Sequence, residues 1–291
     1  MSTLKQLRLR INGVKSTEKI TKAMKMVSAS KLSKAQEAKD HLKPYANKMY
    51  NVVAHLAGSV SKESDLSPLI IGNGRDNIHL LVVISSDKGL CGNFNSCIVK
   101  TVKQHINSLQ VEGKECKILC LGKKAYEQLK HHYNKHIIGV SPGFNKAIYD
   151  EANKLADKLM DLFKNHEFDT CSFIYTEFKN AMKRNTCIRK IIPLNEELSS
   201  YATHMEAHTY EYEPSEDFML QTILPLNLAV QIYYMILETI ASEHGARMTA
   251  MDSASKNAKE MIGDLTLLYN RSRQATITRE LIEIISSAEI V

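Results

Sequence analysis

The sequence predicts an α/β fold in which the two chain ends form one long antiparallel coiled coil and an α/β domain is inserted between them. Three observations predict it. Apolar residues recur at steps of three and four through the first 57 residues. The same spacing returns near Ser215 and continues to the C-terminus, with no proline after Pro225. Between these ends, strand-like apolar runs alternate with amphipathic helical ones, the signature of a mainly parallel sheet. The segments are 1–57, 75–195 and 212–291.

The N-terminal stripe reads Leu4, Leu7, Ile11, Val14, then Ile20, Met24, Val27, then Leu32, Ala35, Leu42, Met49, Val53 and Leu56, with one slip near Thr17. Such a seam is that of a coiled-coil strand. Gly13 and Pro44 are its only breakers, and Pro44 predicts a bend. GNGRDN, 72–77, serves as a linker. IHLLVVISSD (78–87), CKILCLG (116–122) and CSFIYTEF (171–178) read as strands, separated by the helical stretches SCIVKTVKQHINSLQ and KAIYDEANKLADKLMDLFKNH. The alternation is Rossmann-like. CIRKIIPL, 187–194, adds an antiparallel edge strand, and the polar run 195–217 is a second linker.

Ser215 is the expected N-cap of the last helix, whose stripe runs Leu237, Ala241, His244, Met248, Met251, Ala254, Ala258, Ile262, Leu265 and Tyr269. At about 1.5 Å per residue, helices of roughly 55 and 70 residues span roughly 80 and 105 Å. Paired antiparallel with the α/β domain at one end, the longer helix overhangs the shorter by roughly 25 Å. Its tip, LIEIISSAEIV, is apolar and calls for a collar of other protein.

Composition narrows the classes. The 291 residues are 44% hydrophobic and 24% charged, which excludes a wholly disordered chain. A net charge of +6 leaves nucleic acid, anionic lipid and acidic proteins open as partners. Cys91, Cys97, Cys116, Cys120, Cys171 and Cys187 form no CxxC pair and read as reduced, apolar cysteines of a cytosolic protein. The opening MSTLKQLRLR has neither a signal-peptide core nor a transit-sequence composition. Residues 218–241 are apolar over a membrane-spanning length, but Gln221, Pro225, Asn227, Gln231 and Glu238 favour a buried helix instead.

Candidate chemistry is sparse. DKGLCGNFN, 87–95, lies where phosphate loops sit, yet lacks both GK[ST] and GxGxxG, and reads as a tight turn in which Asp87 could act as cap and Lys88 could meet an anion. His204 and His208 stand at i, i+4 without a completing ligand. No nucleophile-and-base signature appears, so no catalytic residue, cofactor or metal is expected. The remaining feature is basic. Lys15, Lys19 and Lys22 share one side of the first helix, and Lys25, Lys31 and Lys34 continue round it. A solvated face, a nucleic-acid track and a contact for an acidic protein surface are all compatible with this pattern. Missing aromatic platforms argue against nucleic acid.

Four stretches carry a family resemblance: KSTEKITKAMKMVSASKL, SSDKGLCGNFN, ASEHGARMTAMDSASKNA and LLYNRSRQATITRELIEIISSA. In this order they resemble the gamma subunits of F-type ATP synthases, the central shafts of rotary motors. Departures are Ser287, where the family commonly has glycine, and Ala258 with Lys259, where glycine-rich sequence is common. The resemblance implies a non-catalytic shaft turning inside a ring of three alpha and three beta subunits. It implies that Met24, Lys25 and Arg247 lie near the acidic lever of beta, faced by Lys15, Lys19, Lys22, Lys31 and Lys34. It further implies that Arg273, Gln274, Thr278 and Glu280 meet the beta loop that catches the upper shaft. The α/β domain would carry epsilon and rest on the c-ring, placing the chain at the cytoplasmic face of a bacterial inner membrane as a peripheral subunit. Association with the membrane would be indirect, through the c-ring.

Overall fold

The computed structural model describes residues 3–59, 67–143, 148–180, 183–194, 213 and 216–288. The expected N-cap Ser215, the pair His204 and His208, most of the 195–217 linker, and the side chains of Leu56 and Ser287 lie outside the described residues. The chain forms two compact units, Met1–Ala29 with Arg247–Val291, and Ser30–Ala246. In chain order the elements are α1 (Leu4–Ser59), α2 (Ser67–Ile71), β1 (Ile78–Ile84), α3 (Phe94–Val111), β2 (Glu115–Leu121), α4 (Lys123–Tyr133), β3 (Ile137–Ser141), α5 (Ile148–Lys164), β4 (Thr170–Phe178), β5 (Arg184–Ile192) and α6 (Glu216–Ala288).

The larger unit is built on a five-stranded sheet of order β3-β2-β1-β4-β5. The first four strands are parallel, and β5 runs antiparallel to β4 at the edge, as its position in the sequence predicts. In β1 every residue from His79 to Ile84 is buried, which is why this strand reads as a continuous apolar run instead of alternating. Leu80, Val82 and Ile84 face α5 and the Leu228–Ile236 stretch of α6, where Leu159, Phe163, Ile232 and Met235 complete the core. Leu81 and Val83 point the other way, against Ile98, Val102 and Ile106 of α3 and Ala125 and Leu129 of α4. Helices therefore cover both faces, the condition for a parallel sheet in water.

The GNGRDN segment is a tied turn. The Asp169 carboxylate accepts hydrogen bonds from the backbone N–H of Asn77 (2.9 Å) and Ile78 (3.0 Å) and from Asn73 Nδ2 (2.6 Å). Desolvation is the largest single influence and raises the Asp169 carboxyl, but these three donors, with the Arg75 charge, together bring it below its ordinary range.

Within this unit α1 and α6 lie antiparallel. Tyr50 and Val53 pack with Leu220 and Leu224, and Lys39 pairs with Glu238, so a step up one helix is matched by a step down the other. Pro44 lies inside α1 on an exposed turn, and the helix continues past it to Ser59. By length and composition Phe218–Ile282 could cross a membrane, but 67% of its most apolar window is buried inside the protein. The sheet contacts at Leu228–Ile236 account for that apolarity.

The smaller unit pairs the first turns of α1 with the last of α6. Leu7 and Ile11 close on Leu265, with Val14 and Tyr269 beside them, and Lys25 meets Asp252, again antiparallel. The seam corrects the sequence reading in one respect. Buried or half-buried side chains follow Leu7, Ile11, Val14, Glu18, Thr21, Lys25 and Ser28 at regular steps of four and three, with no slip at Thr17. Ile20 and Val27, read as seam residues, are 59% and 58% exposed. The heptad is unbroken; its middle is simply polar. Thr21 tolerates burial because its hydroxyl donates to Thr17 O and Glu18 O, both at 3.0 Å.

Candidate functional site: the two-helix unit and its basic face

The crevice beyond the carboxyl ends of β1 and β4, where the strand order reverses, is where open α/β sheets hold ligands. Here the loop after β1 bonds its polar groups to one another. Ser86 Oγ donates to Lys88 O (2.8 Å), Asn95 Oδ1 accepts from Ser86 N (3.2 Å), and Asn95 Nδ2 donates to Ser86 Oγ (2.8 Å). Leu90 and Gly92 turn the chain with φ of 64° and 60°. Asp87 does not cap its own turn. Its Oδ1 accepts from Lys123 N (3.0 Å), at the start of α4, and its Oδ2 from Gly143 N (2.8 Å), beyond β3.

A carboxylate thus already sits at the N-terminus of α4. Glycine is obligatory at the adjoining corner. Gly122 has φ +103°, and a Cβ there would lie 2.2 Å from Ser85 O. The DKGLCGNFN motif is therefore a self-satisfied strand-to-helix turn that staples α4 and β3 to the centre of the sheet.

The six cysteines are free, and burial pushes the Cys116 and Cys120 thiols up to about 12, far from a reactive thiolate. Among the described residues no group of three histidine, cysteine or carboxylate side chains could hold a metal.

The residues singled out on the long helices sit as follows. Lys15, Lys19 and Lys22 are exposed on α1 in the smaller unit, and Lys31 and Lys34 are exposed on the same helix in the larger one. Met24 is half-buried. Lys25 is not a free cation: its Nζ lies 2.5 Å from Asp252 Oδ1, while Lys256 Nζ approaches Asp252 Oδ2 at 2.9 Å from the next turn of α6. The Lys25 hydrogen bond, followed by that of Lys256, brings the Asp252 carboxyl down to about 2. Arg247 is only 7% exposed. Arg273, Gln274, Thr278 and Glu280 are exposed on α6, with Thr278 Oγ1 bonded back to Gln274 O at 3.0 Å.

Beyond Thr276 every described side chain is exposed, including Ile277, Leu281, Ile282, Ile284 and Ile285 at 47–64%. The last cross-helix apolar cluster ends at Tyr269, opposite the start of α1. A helix tip apolar on several sides is normally covered by protein.

Sequence reasoning missed the partners that organise these residues. Asp252 and Lys39 carried no signal beyond lying at seam spacing. Glu238 was visible as an acid inside an apolar helix, which is a mark of a buried, paired charge.

Comparison with known proteins agrees with this arrangement along the whole chain. Residues 3–291 match the family described as ATP synthase. The ATP synthase gamma chain of Rhodospirillum rubrum is 44% identical over 299 residues, covering 100% of both chains. That of Pelagibacter ubique is 45% identical over 291 residues, covering 99% of each. Among solved structures, a chain from the central stalk and c-ring of the Tetrahymena thermophila mitochondrial ATP synthase superposes with a TM-score of 0.61 at 27% identity, over 81% of this chain and 99% of that one. A chain of the Euglena gracilis mitochondrial rotor shares the fold, with a TM-score of 0.63 over 94% of this chain and 98% of that one. With long terminal helices, an inserted sheet and full-length identity of this order, the chain belongs to the ATP synthase family, among its gamma chains.

Proposed function

We propose that the chain is the rotating central shaft of an F-type ATP synthase. It couples ion flow through a c-ring to ATP synthesis or hydrolysis on the beta subunits of an alpha3beta3 ring. Full-length identity to gamma chains is the observation that carries this reading. Gamma chains are non-catalytic, and catalysis resides on beta. The exposed tip beyond Thr276 suits a sleeve formed by the ring, and the exposure of Arg273, Gln274, Thr278 and Glu280 supports reading them as contacts of its catch loop. The exposed Lys15, Lys19 and Lys22, continued by Lys31 and Lys34, offer the acidic beta lever weak, exchangeable contacts. Met24, Lys25 and Arg247 lie near that lever by motif position, with the Lys25 charge committed to Asp252. Epsilon and the c-ring take the α/β domain. The protein sits peripherally at the cytoplasmic face of a bacterial inner membrane, attached only through the c-ring, and binds no nucleic acid.

The mechanism follows from the size of the contacts. An exposed ion pair contributes about 0.2–1 kcal/mol, whereas breaking a buried pair costs about 3–5 kcal/mol. A shaft that visits three beta subunits in turn needs contacts of the first kind. Presenting a different side to each beta, it biases each among open, loose and tight states by differential contact free energy. Copurification with the alpha-beta ring tests the assignment, and a chain that never enters such a ring overturns it. Within the ring, Arg273→Ala with Gln274→Ala lowers turnover or assembly by about fivefold or more. Unchanged hydrolysis in fully assembled complex would remove both from the catch.

A further inference from the structure

One buried junction in the larger unit is used by none of the roles above. Strand β4 outruns its parallel neighbour: the β1 pairing ends at Val83 opposite Ile174, while β4 continues to Phe178. Past that point two side chains of α6 take over the ladder. Glu238 Oε2 accepts a hydrogen bond from Phe178 N at 2.9 Å, and Ser242 Oγ donates to Thr176 O at 3.0 Å. Glu238 is 3% exposed and Ser242 fully buried. The other carboxylate oxygen of Glu238 meets Lys39 Nζ of α1 at 3.3 Å, and the Lys39 side chain is itself only 15% exposed. A single carboxylate therefore ties both long helices to the backbone of an inner strand.

Buried charges are costly, so such groups persist where both oxygens are engaged. Apolar contacts such as Ile232 against the sheet resist separation but permit sliding and rolling. Directed bonds to main-chain atoms fix the angular setting of a helix. We propose that Glu238 is a positioning residue for energy coupling: with Ser242 and Lys39 it locks the helix pair to the α/β domain against twisting, so that torque entering the domain turns the helices without slip. The inference rests on the shaft reading and names the place where that reading transmits force.

The test uses whole complexes in inverted membrane vesicles, comparing ATP hydrolysis with ATP-driven ion pumping. Glu238→Ala lowers the ratio of pumping to hydrolysis by about fivefold or more while hydrolysis stays within about twofold of wild type. Glu238→Gln, which can still accept from Phe178 N, recovers at least about half of that ratio. A ratio for Glu238→Ala within about twofold of wild type overturns the inference. Should that variant fail to assemble, Ser242→Ala with Lys39→Met thins the same junction while leaving the carboxylate, and an unchanged ratio there overturns it equally. A chain absent from the alpha-beta ring would instead overturn the shaft reading; a ring-bound chain with unaltered coupling defeats only the role of Glu238.

Discussion

At the scale of single residues, Asp252 shows how one carboxylate can organise a polar seam. It gathers Lys25 from the opposite helix and Lys256 from its own, at the level where apolar contacts lapse. Its carboxyl falls from an ordinary 3.8 to about 2 in the folded protein. A depressed carboxyl stabilises the fold above its unfolded value and loses that contribution as pH falls through its folded value. The window is thus from pH 3.8 down to about 2. Asp252→Asn should lower the melting temperature of the purified chain at neutral pH and flatten its acid limb across that window. Circular dichroism melts of both proteins measure this. Parallel acid limbs would show that the triad adds nothing to stability.

At the scale of elements, α6 carries a polar group that its packing does not serve. Asn227 is fully buried, and neither its amide oxygen nor its nitrogen has a hydrogen-bond partner. An unsatisfied buried amide costs about 1–3 kcal/mol. Asn227→Leu should therefore raise the unfolding free energy of the isolated chain by about 1–2 kcal/mol, read from urea denaturation. A loss of stability would mean that the site cannot accept the leucine shape.

The elements also show where sequence reading succeeds and fails. The strands β1, β2 and β4 were legible because burial on both faces leaves continuous apolar runs, and the antiparallel β5 because it follows them at an edge. β3 was missed: it is short, contains Gly139, and exposes Ile138 and Val140 at an edge. α4 was missed because KKAYEQLKHHY is dense in charge, with only Ala125 and Leu129 fully buried. The seam of α1 was misread between Thr17 and Val27 because apolar side chains were followed onto the outer face. Glu18, Thr21, Lys25 and Ser28 kept the heptad unannounced. A periodicity count tracks hydrophobicity, and here the geometry runs on through polar residues. The junction at Glu238 needed a strand outrunning its neighbour, which no one-dimensional pattern displays.

At the scale of the whole molecule, charge must be sorted by what holds it. Of 38 lysines and arginines, those that matter for a moving partner are the ones not already spent inside the fold. Lys25 and Lys39 are spent, on Asp252 and Glu238. Reversing Lys25 would break an internal pair and set a glutamate against Asp252, so its effect could not be assigned to a partner. Lys15, Lys19 and Lys22 are exposed, and among the described residues no ion pair engages them. Their combined reversal, Lys15→Glu, Lys19→Glu and Lys22→Glu with Lys25 left in place, isolates the basic face. Three exposed pairs at about 0.2–1 kcal/mol each, exchanged for repulsions of similar size, predict a loss of coupled turnover of about fivefold or more. Raising the ionic strength should weaken the wild-type complex in the same direction, since salt shortens the screening length of exposed charges below its physiological value of about 8 Å. Reconstituted complexes measured for hydrolysis and pumping decide the matter: coupling unchanged by the triple reversal, in a complex of normal composition, would leave the lysine face as ordinary solvated surface.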